Sequence, residues 1–230
     1  KEYKFLFENK FNKNHILAIG INEIKKEGQI MKYFNSFTIY DHNLEILNSY
    51  NKVNLVPFGE FLPFEKLLSL TGLKTITNNY QSYSRGEKRD VIEVNKINFS
   101  VRLLPLICYE IIYTGNIFND RDFDFIVNIS EDGWFGQSIG PHQHFAHSIY
   151  RAIESGKYVL RSANNGITAI VNPLGVVEEQ VDLNQSGFID LFKTKKIEPT
   201  IFSKYGNKIF VLIILLYIFL IFSFNRNRNE

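Results

Sequence analysis

The chain is poor in the residues that cross-link small proteins or bind structural metals. Its 230 residues include one cysteine, Cys108, one methionine and one tryptophan, Trp134. A single cysteine excludes an intramolecular disulfide and any CxxC metal site. Cysteine usage therefore does not indicate the compartment. A lone cysteine is more often a small buried apolar residue than a nucleophile, so a catalytic role for Cys108 needs support from its surroundings.

The chain also lacks a strong excess of charge of either sign. Its formal net charge is +2, which does not predict a nucleic-acid partner. Hydrophobic residues make up 45% of the chain and aromatic residues 15%, mostly Phe and Tyr. This composition predicts a packed core rather than a disordered chain. The length suits one sizeable domain and is short for two.

One long hydrophobic run is present near the end of the chain. Ile209–Phe224 contains no charged residue, glycine or proline. As a helix it would extend about 24 Å, against about 30 Å for the hydrocarbon core of a bilayer. The flanking Lys204, Lys208, Arg226 and Arg228 can snorkel to close this gap. The run predicts a C-terminal transmembrane helix. A buried core helix is disfavoured because no polar face exists, and the balanced basic flanks leave the orientation open.

The rest of the chain alternates short apolar runs with turn residues, a pattern typical of an α+β or α/β sandwich. One amphipathic helix is predicted over His142–Ser155 and a short helix over Phe64–Leu70. Strands are predicted at Ile16–Ile21, Tyr33–Tyr40, Glu45–Leu55, Ile97–Ile107, Phe123–Ile129, Val159–Arg161, Thr168–Asn172, Val176–Gln180 and Phe188–Phe192. No repeat or interdomain linker is visible. A boundary between a domain over residues 1–200 and a membrane segment over residues 201–230 is predicted near Thr200.

Cys108 comes directly after a long apolar segment, at the predicted end of a strand. This is the place where α/β sheets carry chemistry. A thiolate nucleophile needs a base or a positive charge nearby. His142, His144 and His147 follow on the predicted helix, but nothing in the sequence pairs them with Cys108. Their spacing also permits a metal pair. Solvated or internally hydrogen-bonded histidines are the more ordinary interpretation, and we predict no metal.

Five segments in a fixed order resemble one known family. They are YNKVNLVPFGEFLPFEKLL (Tyr50–Leu68), LICYE (Leu106–Glu110), SEDGWFG (Ser130–Gly136), SIGPHQHF (Ser138–Phe145) and RSANNGITAIVNPLG (Arg161–Gly175). Together they resemble the carbon–nitrogen hydrolase (nitrilase) superfamily, and more narrowly its bacterial apolipoprotein N-acyltransferases. The YSRG at Tyr83–Gly86 fits the same pattern. The resemblance covers the chain from about Ile16 to the C-terminus, and it implies a nitrilase-like αββα sandwich.

The resemblance implies which residues do the chemistry. The family uses a Glu–Lys–Cys triad, whose lysine matches Lys52 and whose cysteine matches Cys108. A fixed cation next to a developing oxyanion stabilises it and favours the thiolate. Taken alone, Lys52 would be interpreted as a solvated surface lysine. Glu60 matches a further family glutamate, which implies that it holds Lys52 or supports the transition state.

Three more residues are implied to lie at or near the site. Tyr109 and Glu110 match the positions just after the nucleophile. If the strand continues, their side chains alternate, so that one faces the site and the other the core. Trp134 matches a position near the entrance for the acyl chain, and a core anchor is the equally simple alternative.

The chain departs from the family pattern in one important respect. The glutamate of the triad lies in a Trp-Pro-Glu-like motif upstream of the lysine, and no such motif precedes Lys52. The bundle of membrane helices that precedes the domain in the family is also not in this sequence. We therefore expect a C-terminal fragment that lacks the first strand and helix of the sandwich, with an incomplete site. A degenerate paralogue is the alternative.

The resemblance implies a ping-pong acyl transfer without a cofactor. A phospholipid would donate an acyl chain to Cys108, and the α-amine of a diacylglyceryl-cysteine lipoprotein would accept it. The implied setting is the bacterial inner membrane, with the domain on the periplasmic side, acting as a monomer. Two rivals stay open: an amidase acting on small carbon–nitrogen substrates, and a non-catalytic membrane-tethered binding module.

Overall fold

The computed structural model describes residues 5–8, 10–64, 82–96, 99–115 and 122–228. Two β-sheets and one long helix position the site. The strands are β1 (Ile16–Glu27), β2 (Ile30–Asp41), β3 (Ile46–Asn51), β4 (Ile92–Asn95), β5 (Ser100–Ile107), β6 (Phe125–Glu131), β7 (Tyr158–Asn164), β8 (Thr168–Val171) and β9 (Val177–Val181). The helices are α1 (Phe5–Glu8), α2 (Gly140–Ser155), α3 (Ile201–Tyr205) and α4 (Lys208–Arg228).

The first sheet is an antiparallel meander in the order β1-β2-β3. Its first two strands pair from Ile16 opposite Asp41 to Glu27 opposite Ile30, which is a single long hairpin. Gly28 lies in the connecting turn with a φ of 63°, a conformation that glycine adopts without strain. In β2 the side chains of Phe37 and Ile39 are fully buried, because this strand lies in the middle of the sheet.

The second sheet has six strands in the order β4-β5-β6-β7-β8-β9. The central strands β5, β6 and β7 run parallel, and the outer pairs are antiparallel. Parallel neighbours require a crossover connection, and α2 supplies it between β6 and β7. Because β5, β6 and β7 are parallel, their carboxyl ends lie at one edge of the sheet.

Two apolar cores hold these layers together. One lies between the two sheets and contains Phe37, Ile39, Leu103 and Ile107. The other lies between the six-stranded sheet and α2 and includes Phe145 of that helix. The described part of the fold is therefore a sheet–sheet–helix sandwich, which confirms the α/β sandwich predicted from the sequence.

The element predictions differ from the structure in two places, and a third prediction is not tested. Phe188–Phe192 has no regular secondary structure, so the predicted last strand is wrong. Phe188 and Phe192 are 86% and 88% exposed, which shows that this segment has no apolar layer to pack on. Strand β4 was not predicted because only four residues carry its alternation. The predicted helix over Phe64–Leu70 lies almost wholly outside the described residues.

The end of the chain is helical. Thr200 caps α3 by accepting a hydrogen bond from the Ser203 N–H at 3.1 Å. Helix α4 includes the predicted residues 209–224, and its large apolar side chains from Phe210 to Phe222 are exposed around the whole helix. Among the residues that the structure describes, we find no helix long and apolar enough to cross a membrane. The transmembrane assignment of this segment stays a prediction.

Candidate active site

A cavity of about 820 Å³ opens at the carboxyl ends of β5, β6 and β7 and is closed on the other side by β1 and by the segment after β3. Five of the six residues predicted from the sequence line it: Lys52, Glu60, Cys108, Tyr109 and Trp134. A second cavity, of about 980 Å³, lies beside β7 and β8 and has Arg161 as its one ionisable lining residue among those described. Because it contains no cysteine, lysine or carboxylate among its described lining residues, we place the site in the first cavity.

Cys108 lies at the point where β5 ends and the chain turns into a 3-10 helix, Cys108–Ile112. Its φ is 50°, which is the left-handed region that non-glycine residues rarely adopt. Such strain persists only where the surrounding contacts hold it. Cys108 is half-buried and lines the cavity. The sharp turn therefore presents the thiol at the edge of the sheet.

Lys52 follows β3 and forms a buried ion pair with Glu60. Its Nζ lies 2.9 Å from each carboxylate oxygen of Glu60, and Lys52 is 1% exposed. Glu60 also accepts hydrogen bonds from the Asn35 side chain and from the Val56 N–H, each at 2.8 Å. These contacts keep the carboxylate satisfied in a buried place. The arrangement holds a positive charge at the wall of the cavity.

The segment Tyr83–Gly86 fixes the backbone on either side of this pair. The Tyr83 N–H donates to the Glu60 carbonyl at 2.8 Å, and the Gly86 N–H donates to the Lys52 carbonyl at 2.8 Å. A Cβ at Gly86 would lie 2.0 Å from the Asn51 carbonyl oxygen, so only glycine permits this close approach. The YSRG motif is thus explained as a support for the lysine.

Glu110 does not line the cavity. It is fully buried, and its Oε1 accepts hydrogen bonds from the Tyr50 hydroxyl at 2.7 Å and from the N–H groups of Val53 and Asn54 at 3.1 and 3.0 Å. Its Oε2 accepts from the Ile107 N–H at 2.9 Å. One carboxylate thus joins the segment after Lys52 to the turn that carries the cysteine. The strand ends before Tyr109, yet the expected alternation holds, with Tyr109 towards the cavity and Glu110 in the core.

A match to a known family profile shows which family has this geometry. The carbon-nitrogen hydrolase family profile matches residues 2–191. The chain belongs to the carbon-nitrogen hydrolase family. The solved amidase of Nesterenkonia sp. superimposes on this hydrolase with a TM-score of 0.52 at 15% identity, over 80% of this chain and 62% of that one. At that identity the likeness shows the fold alone, which is the nitrilase-like α/β fold predicted from the motifs.

Curated relatives of this carbon-nitrogen hydrolase share much more sequence. The apolipoprotein N-acyltransferase of Rickettsia bellii is 41% identical over 208 residues, which are 90% of this chain and 40% of that protein. The apolipoprotein N-acyltransferase of Rickettsia typhi is 36% identical over 225 residues, 94% of this chain and 44% of that protein. The chain thus spans less than half the length of these relatives.

A buried polar network lies behind Cys108. Asp132, at the end of β6, accepts from Arg161 at 2.6 Å and contacts the His144 ring at 2.8 Å. Burial alone would raise the pKa of Asp132, but the hydrogen bond from His144 and the charge of Arg161 hold that pKa below its ordinary value. His144 also contacts the Cys108 carbonyl, and Asn128 of β6 contacts the same carbonyl. The sequence interpretation of His144 as an internally hydrogen-bonded histidine is correct.

Trp134 lies at the rim of the cavity in a short 3-10 helix, Gly133–Phe135. It is 62% exposed, which excludes the alternative that it is a core anchor. Glu131 shapes this rim by accepting hydrogen bonds from the Gly133 N–H at 2.7 Å and from the Asn165 amide at 3.0 Å. The structure therefore presents a large apolar ring next to the cavity.

The sequence motifs did not predict roles for Asp132, Arg161 and Asn128. A polar residue inside an apolar strand is the available signal for Arg161 and Asn128, whereas Asp132 lies in a polar loop and has no such signal. The paired histidines were considered for a metal. Among the residues described for this hydrolase, no group of three or more His, Cys, Asp and Glu side chains has the geometry to hold one.

Proposed function

We propose that this chain is the catalytic part of an apolipoprotein N-acyltransferase, in which Cys108 carries an acyl chain as a thioester. The acyl chain comes from a membrane phospholipid and passes to the α-amine of a diacylglyceryl-cysteine lipoprotein. The observation that carries the proposal is the single cavity that joins Cys108 to the buried Lys52–Glu60 pair. The named relatives at 36–41% identity support the choice of reaction.

The first half-reaction forms the thioester. The thiol of Cys108 gives up its proton to a base, and Sγ attacks the ester carbonyl of the phospholipid. The negative charge that develops on the carbonyl oxygen is stabilised by the Lys52 ammonium. The carbon–oxygen bond then breaks, and the lysophospholipid leaves with the proton as an alcohol. Glu60 keeps the Lys52 side chain in place through this step.

The second half-reaction returns the enzyme to its starting state. The lipoprotein amine attacks the thioester carbonyl, the carbon–sulfur bond breaks, and an amide forms while Cys108 regains its proton. Among the described residues that line the cavity, the carboxylates are Glu60 and Glu131, and both already accept several hydrogen bonds. We assign the base to neither of them. The family places it in a motif upstream of Lys52, which this sequence does not contain.

The setting that we propose is the bacterial inner membrane, with the domain on the periplasmic side and acting as a monomer. The exposed apolar surface of α4 supports contact with lipid. Phe58 and Phe64, exposed by 51% and 82%, and Trp134 add apolar surface near the cavity. In this 230-residue chain, removal of residues 206–230 should move the protein from the floating fraction of inner-membrane vesicles to the unbound fraction at the bottom of the gradient. Retention of the shortened protein on vesicles would contradict a role for α4 in attachment.

The reaction can be tested directly in the longest natural form of the protein. Incubation with a phospholipid that carries a labelled acyl chain should leave the label on Cys108, located by peptide mass spectrometry and released by hydroxylamine. Cys108→Ser should give no hydroxylamine-sensitive label, because an ester resists neutral hydroxylamine far better than a thioester. Addition of a diacylglyceryl-cysteine peptide should transfer the label to its amine.

The rival activity is hydrolysis of small amides. It is considered because the fold is similar to that of a solved amidase. The same preparation should therefore be given short amides in place of phospholipid. Turnover of amides that depends on Cys108, with no label from phospholipid, would favour the amidase. Growth rescue by Cys108→Ala in cells depleted of the natural protein would overturn the acyltransferase proposal and favour the binding module.

A further inference from the structure

The backbone of Cys108 is held from behind by side chains that do not line the cavity. The Cys108 carbonyl lies 3.2 Å from His144 Nε2 and 3.5 Å from Asn128 Nδ2. Asn128 also donates to the Leu106 carbonyl at 2.9 Å. The residue they support has a strained φ of 50°, and strain of this kind costs about 1–3 kcal/mol. Contacts to the carbonyl are what the strained turn needs in order to persist.

The contacts of the His144 ring identify its role. Its Nδ1 lies 2.8 Å from Asp132 Oδ1 and 3.3 Å from Arg161 Nη2. A carbonyl oxygen only accepts, so we assign a hydrogen to Nε2 on the basis of this contact with Cys108. Both ring nitrogens are thereby engaged. His144 consequently does not serve as the base for the thiol, although an Asp–His pair next to a cysteine suggests that role at first sight.

Asp132 fixes the ring and is itself fixed. Its Oδ2 accepts from Arg161 at 2.6 Å, and its Oδ1 also accepts from the Ser130 hydroxyl at 2.6 Å. Asp132, His144 and Arg161 are exposed by 0%, 3% and 2%. A buried network in which every partner is satisfied is rigid. Its rigidity reaches Cys108 through the hydrogen bond from His144 and, by way of Arg161 and Asn128, through the longer contact of Asn128 with the same carbonyl.

We propose that His144, oriented by Asp132, is a positioning residue that holds the Cys108 carbonyl and thereby aims Sγ at the acyl carbon. This inference rests on the proposed role of Cys108 as the nucleophile. It differs from a role in folding alone, because it predicts loss of rate in a protein that still folds. The group that matters is the Nε2 hydrogen, so a side chain that keeps a donor at that place should restore the rate.

The test compares three variants with the natural protein. His144→Phe removes the donor, His144→Gln keeps an amide donor near the position of Nε2, and His142→Phe changes an exposed histidine of the same helix as the control. We expect His144→Phe to lower kcat for thioester formation about 100-fold with little change in KM, because a small misplacement of a reacting group has that effect. His144→Gln should recover most of this loss, and His142→Phe should match the natural protein.

Two further measurements separate positioning from folding and from the proposed function. The rate at which iodoacetamide alkylates Cys108 should change less than about three-fold in His144→Phe, because a small reagent does not need the aim that acyl transfer needs. The carbonyl ¹³C resonance of Cys108 should move upfield in His144→Phe, as expected when a hydrogen bond is lost, and return in His144→Gln. That resonance reports on the inference even if no thioester forms.

The outcomes are distinct. An unchanged kcat, or an unchanged carbonyl resonance, in a folded His144→Phe protein would overturn the positioning role. If His144→Phe fails to fold, His144→Asn replaces it, since its shorter amide faces Asp132 and does not reach the Cys108 carbonyl. Absence of any thioester in the natural protein, with the expected shifts of the resonance, would overturn the proposed function and leave the positioning intact.

Discussion

The two walls of the cavity place their buried charges differently. On the wall after β3, the charges of Lys52 and Glu60 border the cavity itself. On the wall at the ends of β5 and β6, Cys108 borders the cavity, while His144 lies behind it and contacts its carbonyl, and Asp132 in turn contacts His144. Buried charge therefore faces the cavity on one wall and supports the main chain on the other.

The difference shows how each wall uses its buried polar groups. Among the described residues, the Lys52 ammonium pairs with one residue, Glu60. A single substitution of either residue therefore leaves an unpaired buried charge. Asp132 has three side-chain partners, namely Ser130, His144 and Arg161. We expect substitutions on the first wall to remove charge that the reaction uses, and substitutions on the second to change the geometry of Cys108.

The largest effect should come from Lys52→Met. Loss of the cation removes its stabilisation of the oxyanion, and thioester formation should fall about 100- to 1,000-fold. The single variant should also be destabilised by about 3 kcal/mol or more, because Glu60 is left buried and unpaired. Labelling of Cys108 by acyl donor and urea unfolding measure the two effects.

A double variant separates chemistry from stability on that wall. Lys52→Met together with Glu60→Gln removes both members of the pair, and should recover much of the free energy of unfolding without recovering the rate. Recovery of the rate along with stability would show that Lys52 serves the fold rather than the oxyanion.

An intermediate effect is expected for Asp132→Asn on the second wall. The folded-state pKa of Asp132 is lowered, so this residue contributes stability that is present above its ordinary value of 3.8 and is lost as the pH falls below it. The variant should lose about 2 kcal/mol of unfolding free energy at pH 7. Between pH 4 and about pH 2, the free energy of unfolding should also fall less in the variant than in the natural protein.

Urea unfolding as a function of pH checks this prediction. Asp190→Asn, a substitution at an exposed aspartate, controls for the loss of one negative charge and should stay within about 0.5 kcal/mol of the natural protein. Equal losses in both variants would mean that the network around His144 adds no special stability.

The smallest effect should come from Trp134→Ala at the rim. Removal of an exposed ring that borders the cavity should raise KM for long-chain donors about three- to ten-fold, because part of its apolar contact with the chain is lost. The KM for acetyl donors should change little, and so should kcat. Ile139→Ala, at a residue that is 65% exposed and not part of the cavity lining, is the matched control. An equal rise in KM for acetyl donors would contradict a role at the acyl-chain entrance.

The sequence predicted the fold well where one pattern dominates a segment. Most of the strands were predicted within a few residues, because apolar runs between turn residues are a local signal. The segment Phe188–Phe192 shows the limit of that signal. Four of its five residues are apolar, as in a buried strand, but strand formation requires a neighbouring strand, and the rest of the fold decides whether one is available.

The candidate site also has one part that the sequence predicted and one part that it did not. Lys52, Glu60 and Cys108 were predicted because each stands in a motif, and the structure brings all three to one cavity. The support behind Cys108 was not predicted, because its contacts join residues far apart in the chain. His144 is 36 residues from Cys108, and Arg161 is 29 residues from Asp132.

The left-handed backbone at Cys108 restricts the substitutions that evolution can accept at that position. A side chain branched at Cβ is strongly disfavoured at positive φ, so the position can exchange cysteine for serine far more readily than for threonine. Valine and isoleucine are disfavoured for the same reason, even in a member that has lost activity. The turn therefore narrows the chemistry available to descendants of this fold to unbranched nucleophiles, before any substrate is considered.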